Sequence, residues 1–432
     1  MKYYIIAGEA SGDLHGSNLM KGLYAEDPQA NIRFWGGDLM ASVWHSFQNN
    51  PSHDFVAGRL VETVHWTVSI PLACPCGQGG STVLKTTPDL VSGMVRHYKE
   101  GAVMGFVEVV AKAGRLLKNV DFCKKDILEW KPDVVILIDY PGFNFKIAEF
   151  AHKAGLKVFY YIAPKVWASR ERRIKKLKKY VDRLFIVFPF EKPYFDSKGV
   201  NYIYKGNPLV DAVDNSKAMH QSKEDFFAET GLDNKPFIAM LAGSRKGEIS
   251  TMMPVLTEFA AKMHQLPKYA GYQFIIAGAP ARSLDDYTPW LNEENSKYIK
   301  VLFGQTQSII RHAQAAVVNS GTASLETALF CTPQVVGYIA NPITYWIAKR
   351  IVKIRYISLG NLIIDRLAFK EFIQKDCNAD AIVREIRDLI ENEDRRERML
   401  DNYGDIRAAL GGSGASSAVA ESMIKELTSL KG

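Results

Sequence analysis

The strongest constraint on the fold is a set of short, almost continuously apolar runs, at residues 133–138, 157–162, 237–241 and 315–318, each followed or preceded by a stretch of helical character. A strand that is apolar at every position must be covered on both faces, and the cover that alternation supplies is helical. The chain therefore reads as α/β with parallel sheets. Residues 3–7, 32–35 and 184–188 extend the first set of strands, and 273–276 and 334–338 extend the second. Gly206-Asn207-Pro208 falls between the two sets as a linker, after which the pattern restarts. With 432 residues, one core is too small a solution. Two doubly wound, Rossmann-like domains with a cleft between them are expected, and ligands in such sheets bind beyond the carboxyl ends of the strands.

Composition narrows the class. The chain is 47% hydrophobic and 23% charged, which is globular rather than disordered. It contains no apolar run long enough to span a bilayer, and Met1-Lys2 leads straight into a strand rather than a signal-peptide core, so a cytoplasmic protein is expected. Five cysteines suggest no disulfide framework, and Cys74-Pro75-Cys76 lacks the further ligands of a metal or redox site. The formal charge is +7, and Arg170, Arg172, Arg173, Lys175, Lys176, Lys178 and Lys179 concentrate it locally. This run is either a solvated helix face or, because Ile174 and Leu177 interleave with the charges, an amphipathic surface for anionic lipid or a phosphate substrate. Residues 43–92 fit no period of 2 or 3.6 and carry Pro51, Pro71, Pro75 and Pro88. A structureless loop of that length is unusual in a compact domain, so the segment reads as an insertion, a disordered excursion or a sequence artefact.

Polar residues at strand ends carry the chemistry. Ser320-Gly321-Thr322-Ala323-Ser324-Leu325-Glu326 empties a strand into a helix start, where free amides, a glycine and hydroxyls can cradle phosphate and Glu326 lies within reach of a ribose. The same residues also suit an ordinary capped helix. Gly243-Ser244-Arg245-Lys246-Gly247 offers amides and a guanidinium to a diphosphate at an equivalent strand end. Gly8-Glu9-Ala10-Ser11-Gly12-Asp13 leaves the first strand; Ser11 and Asp13 serve as caps or ligands, and Glu9 points toward the cleft. Asp139 ends the strand at 133–138, where a carboxylate can accept a proton from an attacking hydroxyl. Neither the dinucleotide fingerprint nor a phosphate-transferring loop is present, which argues against redox and ATPase chemistry.

In order along the chain, the runs A-G-E-A-S-G-D at 7–13, I-D-Y-P-G-F-N at 138–144, A-P-K-V-W-A at 163–168, F-P-F-E at 188–191, G-S-R at 243–245, S-G-T-A-S-L-E at 320–326 and S-L-G-N-L at 358–362 resemble the lipid-A-disaccharide synthases. The resemblance spans nearly the whole chain outside 43–92, where family members pass almost directly into the equivalent of residues 93–105. It implies a GT-B glycosyltransferase, inverting, without metal or other cofactor. Such an enzyme moves 2,3-diacylglucosamine from UDP onto 2,3-diacylglucosamine 1-phosphate, on the cytoplasmic face of the inner membrane, with no nucleic-acid partner. By the same resemblance, Asp139 is the general base and Glu9 a second catalytic residue in the acceptor-side cleft, with Ser11, Gly12 and Asp13 in an acceptor-side loop. Ser244 and Arg245 hold the diphosphate, and Ser320, Gly321, Thr322, Ser324, Glu326 and Asn361 bind the nucleotide. The expected domains are an acceptor domain at 1–207, a UDP-sugar domain at 208–400 and a segment at 401–432. That last segment is expected to cross back, after the hinge Gly411-Gly412-Ser413-Gly414, onto the amino-terminal domain or the partner of a homodimer. Competing readings are a UDP-sugar 2-epimerase or other GT-B enzyme, and a nucleotide-sugar binder without turnover.

Overall fold

The computed structural model describes residues 1–49, 93–98, 108–168, 170–340 and 355–430. Its first sheet is built from β1 (Lys2–Ala7), β2 (Asn31–Gly36), β3 (Met94–His97), β4 (Val134–Ile138), β5 (Lys157–Tyr161), β6 (Arg183–Ile186) and β7 (Ile203–Tyr204). All pair in parallel, in the order β3-β2-β1-β4-β5-β6-β7. The second contains β8 (Phe237–Leu241), β9 (Gln273–Gly278), β10 (Ile299–Phe303), β11 (Ala315–Asn319), β12 (Gln334–Tyr338) and β13 (Glu371–Ile373), in the order β10-β9-β8-β11-β12-β13. Each sheet thus winds outward in both directions from its first strand. Ile5 of β1 sits between Phe34 and Ile136, and Met240 of β8 between Ile276 and Val317. These central strands are buried along almost their whole length, as their uninterrupted apolar character requires.

The linker residue Asn207 does more than join the halves. Its side chain caps the Pro208–Asp214 helix by accepting from the Leu209 amide and donates to the Val187 carbonyl, fixing the crossing to the loop after β6. The return crossing is also anchored. The boundary expected near 401 falls inside the unbroken helix Glu393–Leu410, and the chain turns at Gly411–Gly414, where both flanking glycines have positive φ (90° and 103°). Asp211 then accepts from the Gly414 and Ser416 amides, and the last helix, Ala415–Ser429, lies along Ala10–Glu26 of the first domain. Gly22 permits the approach, since a Cβ there would lie 2.9 Å from that of Ala420. Arg183 on β6 completes the seam with Glu426 at 2.5 Å.

Of the atypical stretch at 43–92, residues 43–49 form the end of a helix, Asp38–Asn49, contrary to the expectation of irregular structure. The remainder, with Cys74 and Cys76, lies outside the described residues.

Candidate active site

The strand order reverses between β1 and β4 in one domain and between β8 and β11 in the other, and both reversal points open into the same cleft. At the first, Glu9 follows β1 and Asp139 follows β4. Asp139 and Tyr140 both have φ of 42°, a left-handed pair that costs roughly 1–3 kcal/mol per residue and persists only where surroundings enforce it. Here the Asp139 carbonyl accepts from Tyr160 Oη at 2.6 Å and from Asn144 Nδ2 at 2.8 Å. The Tyr140 ring lies over Gly8, where a Cβ would come within 2.3 Å of it. Burial pushes the Asp139 carboxyl above its ordinary range; the ammonium of Lys165 and the guanidinium of Arg245 oppose this, while Glu9 adds to it.

At the second reversal, Arg245 extends from the end of β8 across the cleft and meets Glu9, Nη2 lying 3.1 Å from each carboxylate oxygen. The neighbouring amides are differently placed from the sequence expectation. Those of Ser244 and Arg245 donate to Glu248, which caps the Lys246–His264 helix, so this loop presents its guanidinium rather than its amides. The β11 junction has the opposite character. Gly321 precedes the Thr322–Leu329 helix in extended conformation, no side chain caps that helix, and nothing lies within 4 Å of a Cβ built on Gly321. Its first amides are therefore open to an anion, which favours the cradle over the plain cap. Ser320 and Thr322 flank it, half-buried, and Glu326 is held by Gln307 Nε2 at 2.8 Å with its carboxyl pushed up by burial.

Other expected ligands are engaged in holding the backbone. Ser324 donates to the Gly321 carbonyl. Asn361 is fully buried: its amide nitrogen donates to the Phe369 carbonyl and Glu371, and its oxygen accepts from the Ala368 and Phe369 amides, leaving it a brace for the 359–371 segment. Asp13, 3% exposed, accepts from the amides of Gly37, Leu39 and Met40 and so pins the start of the following helix instead of facing the cleft as Ser11 and Gly12 do. In the basic run, Ile174 and Leu177 are buried in the first domain's core and are not available to a lipid surface. Arg170, Arg172, Lys175 and Lys176 remain exposed, while Arg173 stacks on Phe145.

Between the domains lies a cavity of about 60 Å³, bordered by Ser11, Asp139, Phe188, Thr322 and Leu359 among others. It is well below the ~300–1,000 Å³ of a pocket enclosing a small organic ligand, so a nucleotide sugar needs the open part of the cleft or a parting of the domains. Three residues around it were not singled out from sequence. Lys165 and His15 line it, and Glu191 organises its wall: its carboxylate accepts from the Val187 and Phe188 amides and from Trp167 Nε1, tying the loop after β6 to the one carrying Lys165. Lys165 and Glu191 lie within runs shared with the resembled family, a signal that could have found them; His15 had only its position one turn beyond Ser11.

The sequence pattern of the lipid-A-disaccharide synthetases matches residues 91–423. A lipid-A-disaccharide synthase from Trichlorobacter lovleyi is 32% identical over 412 residues, covering 95% of this chain and 94% of the relative. One from Geobacter metallireducens is 32% identical over 424 residues, covering 98% and 96%. The chain belongs to the lipid-A-disaccharide synthase family. Among solved structures, the UDP-GlcNAc 2-epimerase of Methanocaldococcus jannaschii, in complex with UDP-GlcNAc and UDP, superposes with a TM-score of 0.62 over 98% of this chain and all of that one. At 12% identity that likeness shows the fold, the two-domain GT-B architecture, and does not favour the epimerase reading over the synthase family.

Proposed function

We propose that this chain transfers 2,3-diacylglucosamine from UDP to the 6-hydroxyl of 2,3-diacylglucosamine 1-phosphate, giving the β-1,6-linked lipid A disaccharide 1-phosphate and UDP. The observation that carries the reading is the placement across the cleft of a half-buried carboxylate at one reversal point from an arginine and an open helix start at the other. Asp139 takes the proton of the acceptor hydroxyl as its oxygen attacks the anomeric carbon; the bond from that carbon to the diphosphate breaks, and the electron pair leaves with UDP. Arg245 and the amides at Thr322 face the charge that develops on the diphosphate, the part a divalent cation plays in other transferases. Glu9, which pairs with Arg245 across the cleft, releases it to the diphosphate.

Both substrates carry acyl chains, and the exposed Arg170, Arg172, Lys175 and Lys176 give the amino-terminal domain a cationic face for the cytoplasmic leaflet of the inner membrane. Each such residue is worth about 1 kcal/mol near an anionic surface. Among the described residues no helix is long and apolar enough to cross a membrane.

The test supplies both substrates to the purified protein and to Asp139→Asn. Disaccharide and UDP are expected from the wild type, with turnover about 10²–10⁴-fold slower in the variant. Binding of UDP without disaccharide in the wild type would sink the transferase reading, and equal rates would remove Asp139 as the base.

A further inference from the structure

Lys165 stands exposed at the edge of the interdomain cavity, within electrostatic reach of Asp139 and Glu191 but hydrogen-bonded to neither. Lys165, beyond the end of β5, lines the cavity beside Asp139, and its ammonium makes no hydrogen bond or ion pair among the described residues. The backbone that carries it is fixed: Val166 is buried, its carbonyl accepts from Tyr194, and Trp167 is tied to Glu191. A second feature of the same cavity favours an anion. The Ala10–Glu26 helix begins there, Glu9 gives it no side-chain cap, and the amides of its first residues have no intrahelical acceptor. A third is His15, 8% exposed, which lines the cavity while its Nδ1 has no hydrogen-bond partner. Burial holds its pKa down at about 4, so at neutral pH it is an uncharged imidazole able to donate one hydrogen bond.

We propose that Lys165, the amino end of the Ala10–Glu26 helix and His15 form a subsite for the phosphate monoester of the acceptor. Two sources of phosphate enter a reaction of this kind. The donor's diphosphate has Arg245 and the open helix start at Thr322 on the carboxyl-terminal domain, although Thr322 also borders this cavity. The three groups assembled here all come from the amino-terminal domain, next to the carboxylate that the acceptor hydroxyl must meet. The Lys165 ammonium also offsets the repulsion between that anion and Asp139. The subsite thereby selects a sugar phosphorylated at C1, across the ring oxygen from the carbon that carries the attacking 6-hydroxymethyl group.

The assignment rests on the transferase reading, and the experiment separates the two. Wild type, Lys165→Ala and Lys165→Arg are assayed with 2,3-diacylglucosamine 1-phosphate and with its dephosphorylated counterpart, UDP-2,3-diacylglucosamine being the donor. Direct binding of the phosphorylated acceptor is measured alongside by calorimetry in detergent. Lys165→Ala is expected to raise the acceptor KM about tenfold, to shrink the preference for the phosphorylated acceptor by a similar factor and to leave the donor KM within about twofold. Lys165→Arg restores most of the loss. A rise in donor KM with constant acceptor KM would give the phosphate to the donor. An unchanged preference with a displaced pH profile would show that Lys165 acts only through Asp139, and either result overturns the subsite. Should the wild type form no disaccharide, calorimetry still decides: about tenfold weaker binding by Lys165→Ala supports the subsite, and equal binding ends it.

Discussion

Glu191 should make the stability of the wall around the cleft fall as pH rises. Its carboxyl is 1% exposed, and burial lifts its pKa from 4.5 to about 7 despite three donors and the nearby Lys165. Between those values the unfolded chain has lost the proton and the folded protein still holds it, so stability is full below about pH 4.5 and declines as pH rises through about 7. A displacement of about 2.5 pH units at 1.36 kcal/mol each amounts to about 3 kcal/mol in total. Glu191→Gln keeps the shape and cannot ionise. Urea unfolding of both proteins at pH 5 and pH 8 gives two differences, and subtracting them cancels every other titrating group. The wild type should lose about 2–3 kcal/mol more than the variant over that interval. Equal losses, or a wild type that gains stability relative to the variant, would refute the assignment of a buried, proton-holding carboxyl at this position.

Asp13→Ala strips the acceptor from three amides that remain buried or half-buried, and should cost about 2–4 kcal/mol in urea unfolding; a loss under about 0.5 kcal/mol would mean water replaces the carboxylate. Arg245→Ala should weaken UDP binding about tenfold or more by calorimetric titration, and unchanged affinity would place the diphosphate elsewhere. Glu9→Gln should tighten UDP about two- to fivefold, because it removes the carboxylate that competes for Arg245 in a largely exposed pair worth at most about 1 kcal/mol.

The central strands were legible because burial on both faces leaves one kind of residue available to them. Val134–Ile138 and Phe237–Leu241 contain no polar residue to confuse the reading. The edges were not: β10 carries Lys300 outward, β13 begins with Glu371, and β7 has only two residues, so none shows an apolar run. The site divides similarly. Asp139 and Arg245 could be named because a charged residue at the end of an apolar strand has one place to go, the mouth of the cleft. The bracing role of Asn361 could not, because it depends on where residues 368–371 return. Nor does a helical periodicity distinguish a membrane-facing Leu177 from a core one; only the strands beneath it do.

The two sides of the interdomain contact differ in strength, and that difference suits a transferase. Away from the site, Asp211 receives two amides of the returning chain, Asp214 binds Arg407 at 2.5 Å, and the last helix buries Val419, Met423 and Leu427. These contacts join the two places where the chain crosses between domains, at 207–209 and 411–416, into one hinge. On the site side the link from Glu9 to Arg245 is 48% and 66% exposed, and an ion pair in that setting contributes at most about 1 kcal/mol. A cleft tied firmly at its back and weakly at its mouth opens at the mouth. The cavity of about 60 Å³ requires such an opening for a nucleotide sugar to enter. A diphosphate carries more negative charge than the single carboxylate it displaces, so Arg245 gains by the exchange. On the proposed reading, donor binding would convert a link between the domains into a link between one domain and the substrate, and free Glu9 beside Asp139 as the acceptor hydroxyl arrives.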